Sequence, residues 1–204
     1  MFSKSMGAAV DIAQKRLMLT TNKESVLMII ASDLAELNHL VDILDPSSIN
    51  FDKGGLEKFK IKSYWKKFNN NYKLLNAILL KLNRSKNILY NSKINISNFY
   101  KDFKREYDKF LDTPDTSRDS DYMQQALVSE NVNALLLDSI AEHETTYKHL
   151  DTVINTLEAS LNIAIYLAAK NSGSNPDTSV MMVKNATTSD YKLEYSKLKN
   201  VLSE

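Results

Sequence analysis

The chain contains no cysteine, and that absence removes disulfides, thiolate nucleophiles and thiolate-ligated zinc or iron–sulfur centres from consideration. Glycine and proline are nearly as scarce, at four and three in 204 residues, against usual shares of about 7% and 5%. So few breakers argue against a turn-dense all-β fold. They also leave little material for a phosphate loop, a dinucleotide-binding Gly-x-Gly-x-x-Gly turn or a Gly-x-Ser-x-Gly nucleophile elbow, and none of these motifs occurs. Long hydrophobic runs are missing too. Val26–Ala31 and Ile163–Ala169 are the longest, well short of the roughly 18–20 residues that cross a bilayer, so no membrane insertion is expected. Near the N-terminus, Asp11, Lys15 and Arg16 interrupt what would have to be the apolar core of a signal peptide. The cytosol, or a particle assembled there, is the compartment that fits best.

What the chain does have is apolar residues at alternating spacings of three and four, the mark of helices with one buried face. A short helix is expected near Ser5–Leu19. Thr21 and Glu24 then form a capping box for a helix over about Asn22–Leu44, with the stripe Leu27, Ile30, Leu34, Leu37, Val41 and Leu44, ended at Asp45-Pro46 because proline cannot continue the hydrogen-bond ladder. After Gly54-Gly55 a helix should run to about Tyr90 on Ile61, Trp65, Phe68, Tyr72, Leu75, Leu79, Leu82 and Leu89, with a separate shorter helix, capped by Ser97 or Asn98, marked by Ile96, Phe99, Phe103, Tyr107 and Phe110. From Asp121 to Asn171 there is neither proline nor glycine, so one very long helix, or two nearly collinear ones, is expected there. Its packing seam is Leu136, Ile140, His143, Tyr147, Leu150, Ile154, Leu157 and Leu161, continuing through Ala164 and Ala168. In heptad terms the e positions Glu144, Asp151 and Glu158 meet no base at g, so a parallel homodimeric coiled coil would gain no ion pairs. An antiparallel bundle suits the seam better.

The expected fold is therefore all-α: an elongated antiparallel helical bundle over residues 1–171, a flexible linker at 172–188 and a C-terminal helix at 189–204. That last helix offers Tyr191, Leu193, Tyr195, Leu198, Val201 and Leu202 as a small apolar surface, which the reach of the linker would let dock on a neighbouring subunit or partner.

Charge is strongly segregated. Residues 53–109 hold fifteen bases and four acids, whereas residues 111–159 hold two bases and ten acids, in a chain of net charge +1. In the heptad register Lys60, Lys66, Lys67, Lys73, Lys81 and Arg84 fall on the face turned from the seam, a candidate basic interaction surface. Its bland reading is a solvated rim. Its functional reading is a surface for an acidic protein or, as the runner-up, for nucleic acid, given the nearby aromatics Tyr64, Trp65, Phe99, Tyr100, Phe103 and Tyr107. Most of those aromatics sit on core stripes, which weighs against base stacking.

Motifs for catalysis and metal binding are incomplete. Glu36-Leu-Asn-His39 has the Glu-x-x-His spacing of di-iron bundles, but no second copy exists. Glu142-His143-Glu144 lacks the second histidine of a zinc protease, because position 147 is Tyr147. His143 on the seam reads as a buried polar residue that fixes register. Pairs such as Asp33 with Glu36 and Asp102 with Glu106 read as helix surface. No catalytic, cofactor-binding or metal-binding residue is assigned, and no cofactor is expected. By elimination the chain reads as a non-enzymatic structural protein, a subunit or adaptor of a larger complex such as a viral particle or secretion machine. Its partners would be other protein subunits, homo- or hetero-oligomeric.

Overall fold

The computed structural model describes residues 2–19, 22–52, 54–112, 120–172 and 187–203. They form five helices, α1 (Phe2–Leu19), α2 (Asn22–Ile43), α3 (Glu57–Leu111), α4 (Ser120–Ser172) and α5 (Thr188–Ser203), and no strand occurs among the described residues. The fold is an all-α bundle, as glycine and proline scarcity implies. The expected long helix is α4, within a residue of its anticipated ends. Thr21 and the side chain of Glu24, the expected capping box, lie outside the described residues, as does most of the expected linker.

One boundary differs from the sequence reading. The helix expected to stop near Tyr90 and the helix expected to start near Ser97 are a single 55-residue helix, α3. The reason is a heptad that never breaks: Ile61, Phe68, Leu75, Leu82, Leu89, Ile96, Phe103 and Phe110 are spaced by seven, and all are buried. Asn91, Ser92, Ile94 and Asn95 are weaker helix formers, but the segment includes no proline or glycine, and burial of one face supplies most of a helix's stability in a folded protein. Beside that row Tyr64, Ile78 and Ser85 are also buried, so the packed face of α3 is broader than a two-position seam.

The chain divides into two compact units, Met1–Met28 with Lys86–Lys148, and Ile29–Ser85 with His149–Glu204. The core of the first joins Met6, Val10 and Ala13 of α1, Ile96, Phe103 and Phe110 of α3, and Val132 and Leu136 of α4. In it α3 and α4 run antiparallel. Tyr90 meets Tyr147 at 5.6 Å between ring centroids and Phe110 stacks on Tyr122 at 4.6 Å, so positions fall along α4 as they rise along α3.

In the second unit α2 and α3 are likewise antiparallel, with Asp33 near Lys81 and the Leu44 carbonyl at Tyr64. The turn between them uses Asp45 to accept the Ser47 amide proton at 2.9 Å. Gly55, with φ at 72°, takes the left-handed conformation that glycine adopts without strain, just before α3 begins. The α4 seam is buried here at Leu150, Ile154, Leu157 and Leu161. Between Ser160 and Leu167 six of eight positions are buried, so this stretch is enclosed on more than one face. Of the first-unit seam residues, Leu136 and His143 are buried while Ile140 and Tyr147 are partly exposed. By length and composition α4 is also apolar enough to cross a membrane, with an 18-residue window at mean hydropathy 1.2, half of it buried in the protein. Uncharged asparagine, serine and threonine break its apolar runs without adding charge, which is why run length understated it.

The C-terminal helix corrects a second expectation. Instead of waiting for a partner, α5 packs on its own chain. Tyr191, Tyr195 and Leu198 are buried, whereas Leu193 is exposed and Val201 and Leu202 are half-buried. Thr188 Oγ1 accepts the Phe51 amide proton at 2.9 Å, and Tyr64 and Tyr191 share a hydroxyl–hydroxyl bond at 2.8 Å. Lys192 Nζ donates to the Ser47 carbonyl at 2.7 Å, and Lys199 lies 3.0 Å from Asp42 and 3.4 Å from Asp45. The face expected to meet a partner is satisfied by residues that the sequence places more than a hundred positions away.

Candidate functional site

The six candidate bases Lys60, Lys66, Lys67, Lys73, Lys81 and Arg84 are all exposed, as their heptad positions require. Two of them are engaged within the chain. Lys60 pairs with Glu57 one turn back, at 2.9 Å. Lys81 reaches across to α2, 3.4 Å from Asp33 and 3.6 Å from Glu36, and so partners a carboxylate that is 5% exposed. Lys66, Lys67, Lys73 and Arg84 form no ion pair with a described residue, and neither do Lys58 and Lys62, two bases of the same surface that the heptad argument left out. A signal for both was present: from Lys58 to Lys101 the sequence has eleven bases and no acid.

Geometry turns part of this excess into a line. Lys62, Lys66, Lys73 and Arg84 are separated by four, seven and eleven residues, close to one, two and three turns at about 3.6 residues per turn. They therefore share one outward stripe, extending about 33 Å at about 1.5 Å per residue. At its start Phe59 is 76% exposed and lies with Lys62, Ser63, Trp65, Lys66, Asn69 and Asn70 around a shallow open groove.

The aromatics around this stripe are mostly committed elsewhere. Tyr64, Phe68 and Phe103 are buried and Trp65, Phe99, Tyr100 and Tyr107 are partly so. Phe51, Tyr64, Trp65 and Phe68 form an aromatic cluster packed edge to face, with ring centroids 5.2–5.7 Å apart along Phe51–Tyr64, Tyr64–Trp65 and Trp65–Phe68. Tyr64 donates to the Leu44 carbonyl at 2.9 Å. Burial pushes the Tyr191 hydroxyl up to about 12 and raises Tyr64 and Tyr195 as well, so all three stay neutral near pH 7. Burial works against the Asp45 carboxylate, but the Ser47 amide and hydroxyl and then Lys199 outweigh it and hold it below the usual carboxylate range.

The remaining chemical candidates stay apart. His39 is exposed, and its Glu36 partner faces Lys81. His143 is 1% exposed, with Nδ1 at 2.7 Å from the Ser139 carbonyl oxygen. Among the described residues no three of histidine, cysteine, aspartate or glutamate lie together as metal ligands would. A cleft of about 280 Å³ beside α1 and α4 is lined by Val10, Asp11, Asp121, Gln124 and Ser129, among others. Both its carboxylates are exposed, and no histidine is among the described residues that line it. No protein-family model, curated protein or solved structure matches the chain.

Proposed function

We propose that this protein is a non-enzymatic structural protein, a helical subunit or adaptor of a larger protein assembly such as a viral particle or a secretion machine. The observation that carries the reading is a completed core with large apolar side chains still outside it. Leu56 is 84% exposed, Phe59 76%, Met28 71%, Met123 64% and Leu127 61%. Scattered exposed apolar residues are ordinary, but on α3 and α4 these share faces with charged residues, the composition of surfaces covered on assembly. The test is the native mass of the chain taken from its source, compared with 23.2 kDa for one copy. A larger mass of defined composition is expected. A bare monomer, with no subunit retained under mild conditions, would end the proposal.

A second reading, a nucleic-acid-binding accessory protein, draws on Phe59 standing among Lys58, Lys62 and Lys66, where an exposed ring could stack on a base. The buried state of Tyr64, Phe68 and Phe103 argues against it, since it leaves only a short platform. Fluorescence anisotropy with oligonucleotides between about 50 and 200 mM salt separates the two. Binding weaker than about micromolar is expected. Submicromolar binding, abolished by changing Lys66, Lys67, Lys73, Lys81 and Arg84 to glutamine, would put this reading first.

A further inference from the structure

Between Ser120 and Tyr147 α4 has five acids and no lysine or arginine. Its inward face carries Val132, Leu136 and His143, all buried. The opposite face carries Met123, Leu127 and Leu137, exposed at 64%, 61% and 43%, beside Glu130, Asp138 and Glu142, also exposed. An outward helical face that is both apolar and acidic is therefore present on the same chain as the outward apolar and basic face of α3. Glu130 and Asp138 form no ion pair with a described residue, so their charge is available, like that of Lys66 and Lys73.

The spacings match in one direction. Lys62 and Lys66 are four residues apart and Lys66 and Lys73 seven, while Glu142 and Asp138 are four apart and Asp138 and Glu130 eight. At about 1.5 Å per residue these are steps of about 6 and 10.5 Å against about 6 and 12 Å. Laid antiparallel, Lys62 comes opposite Glu142, Lys66 opposite Asp138 and Lys73 opposite Glu130. The same register brings Leu80, 55% exposed, opposite Met123, with Leu127 one turn along. Three charge pairs and an apolar contact thus fall in one register.

We propose that the outward face of α3 from Lys62 to Leu80 binds the outward face of α4 from Met123 to Glu142 on a second copy of this chain, with the two helices antiparallel. This rests on the subunit reading above and names the partner. The contact joins two different surfaces, so a bound pair still offers one unused α3 face on one copy and one unused α4 face on the other, and copies add head to tail into a ring or an open row. Charge complementarity sets register and encounter rate, and the apolar contacts supply the burial.

Sedimentation velocity on the full chain tests this, over an approximately hundredfold dilution series and from about 0.05 to about 0.5 M salt. The expected result is a mass above 23.2 kDa that grows with concentration and falls with salt. Lys66→Glu with Lys73→Glu, and separately Glu130→Lys with Asp138→Lys, should each weaken association by about tenfold or more. An equimolar mixture of the two variants should associate again, since each reversed face finds its complement. Unchanged melting curves would show that both variants fold, and glutamine at the same four positions gives a milder variant if they do not. A wild-type chain that stays monomeric throughout, association indifferent to both reversals, or a mixture that fails to recover would each overturn the proposal. If the isolated chain is monomeric while the chain from its source sits in a larger complex, the self-contact falls and the subunit reading stands.

Discussion

The two halves of α3, Glu57–Ser85 and Lys86–Leu111, belong to one uninterrupted helix with one unbroken heptad, yet they dispose of their positive charge in different ways. In the second half Lys93 pairs with Glu144 of α4 and Lys104 with Asp108, Arg105 lies 3.5 Å from Asp102, and Lys109 lies 3.0 Å from Glu106. In the first half Lys58, Lys62, Lys66, Lys67, Lys73 and Arg84 form no ion pair with a described residue. The fourteen bases of α3 therefore fall on two surfaces, one with most of its charge paired and one with most of it unpaired among the described residues. Density of charge in the sequence did not separate them. The distribution of acids did, because those of α3 sit at position 57 and from 102 onward.

Breaking the common element should cost both halves alike. Phe68 is 3% exposed in the first and Phe103 2% in the second, and replacing either by alanine is expected to lower stability by about 3–5 kcal/mol, read by chemical denaturation. A loss below about 1 kcal/mol at one site alone would show that the heptad is buried in only one half, and the two halves would then differ in packing as well as charge.

Tyr64 sharpens what is special to the first half. Tyr64→Phe keeps the ring but leaves the Leu44 carbonyl and the Tyr191 hydroxyl without their bond, for an expected loss of about 1–3 kcal/mol. Removing residues 190–204 should likewise lower the melting temperature. A truncated chain that melts unchanged would mean that α5 is a detachable element after all.

The second half should show itself through pH. Hydrogen bonds from Lys93 and then Lys148 hold the Glu144 carboxyl below its ordinary value of 4.5. Because the native value is depressed, the stability this group contributes is present above 4.5 and fades as pH falls through the lower native value. Glu144→Gln should therefore be less stable than wild type at neutral pH, with the gap closing in acid. A gap that persists below both values would assign the effect to packing.

The smallest change in stability is expected on the charged stripe itself. Lys66→Gln and Lys73→Gln should stay within about 0.5 kcal/mol of wild type, because neither cation has an ion-pair partner among the described residues to lose. A loss well above that at either site would mean that the stripe supports the fold and would erase the contrast between the halves.

Sequence alone determined the fold class and the extent of α4. Without glycine or proline from position 121 to 171, and with apolar residues three and four apart, the backbone had no cheaper way to satisfy its hydrogen bonds than one helix. It also placed the exposed bases on α3, since heptad position dictates which way a side chain points. Continuity of α3 was legible too, in the sevenfold spacing from Ile61 to Phe110, but the polar segment at 91–95 masked it, and only burial against α4 outweighs that segment's weak propensity. Tertiary structure alone decided the rest. Which lysines meet a carboxylate on another helix, as Lys81 and Lys93 do, depends on how α2, α3 and α4 are juxtaposed. That α5 packs on its own chain depends on Phe51, Tyr64 and Tyr191, brought together across 127–140 positions. Such contacts follow from packing between distant segments, and no local pattern of residues encodes them.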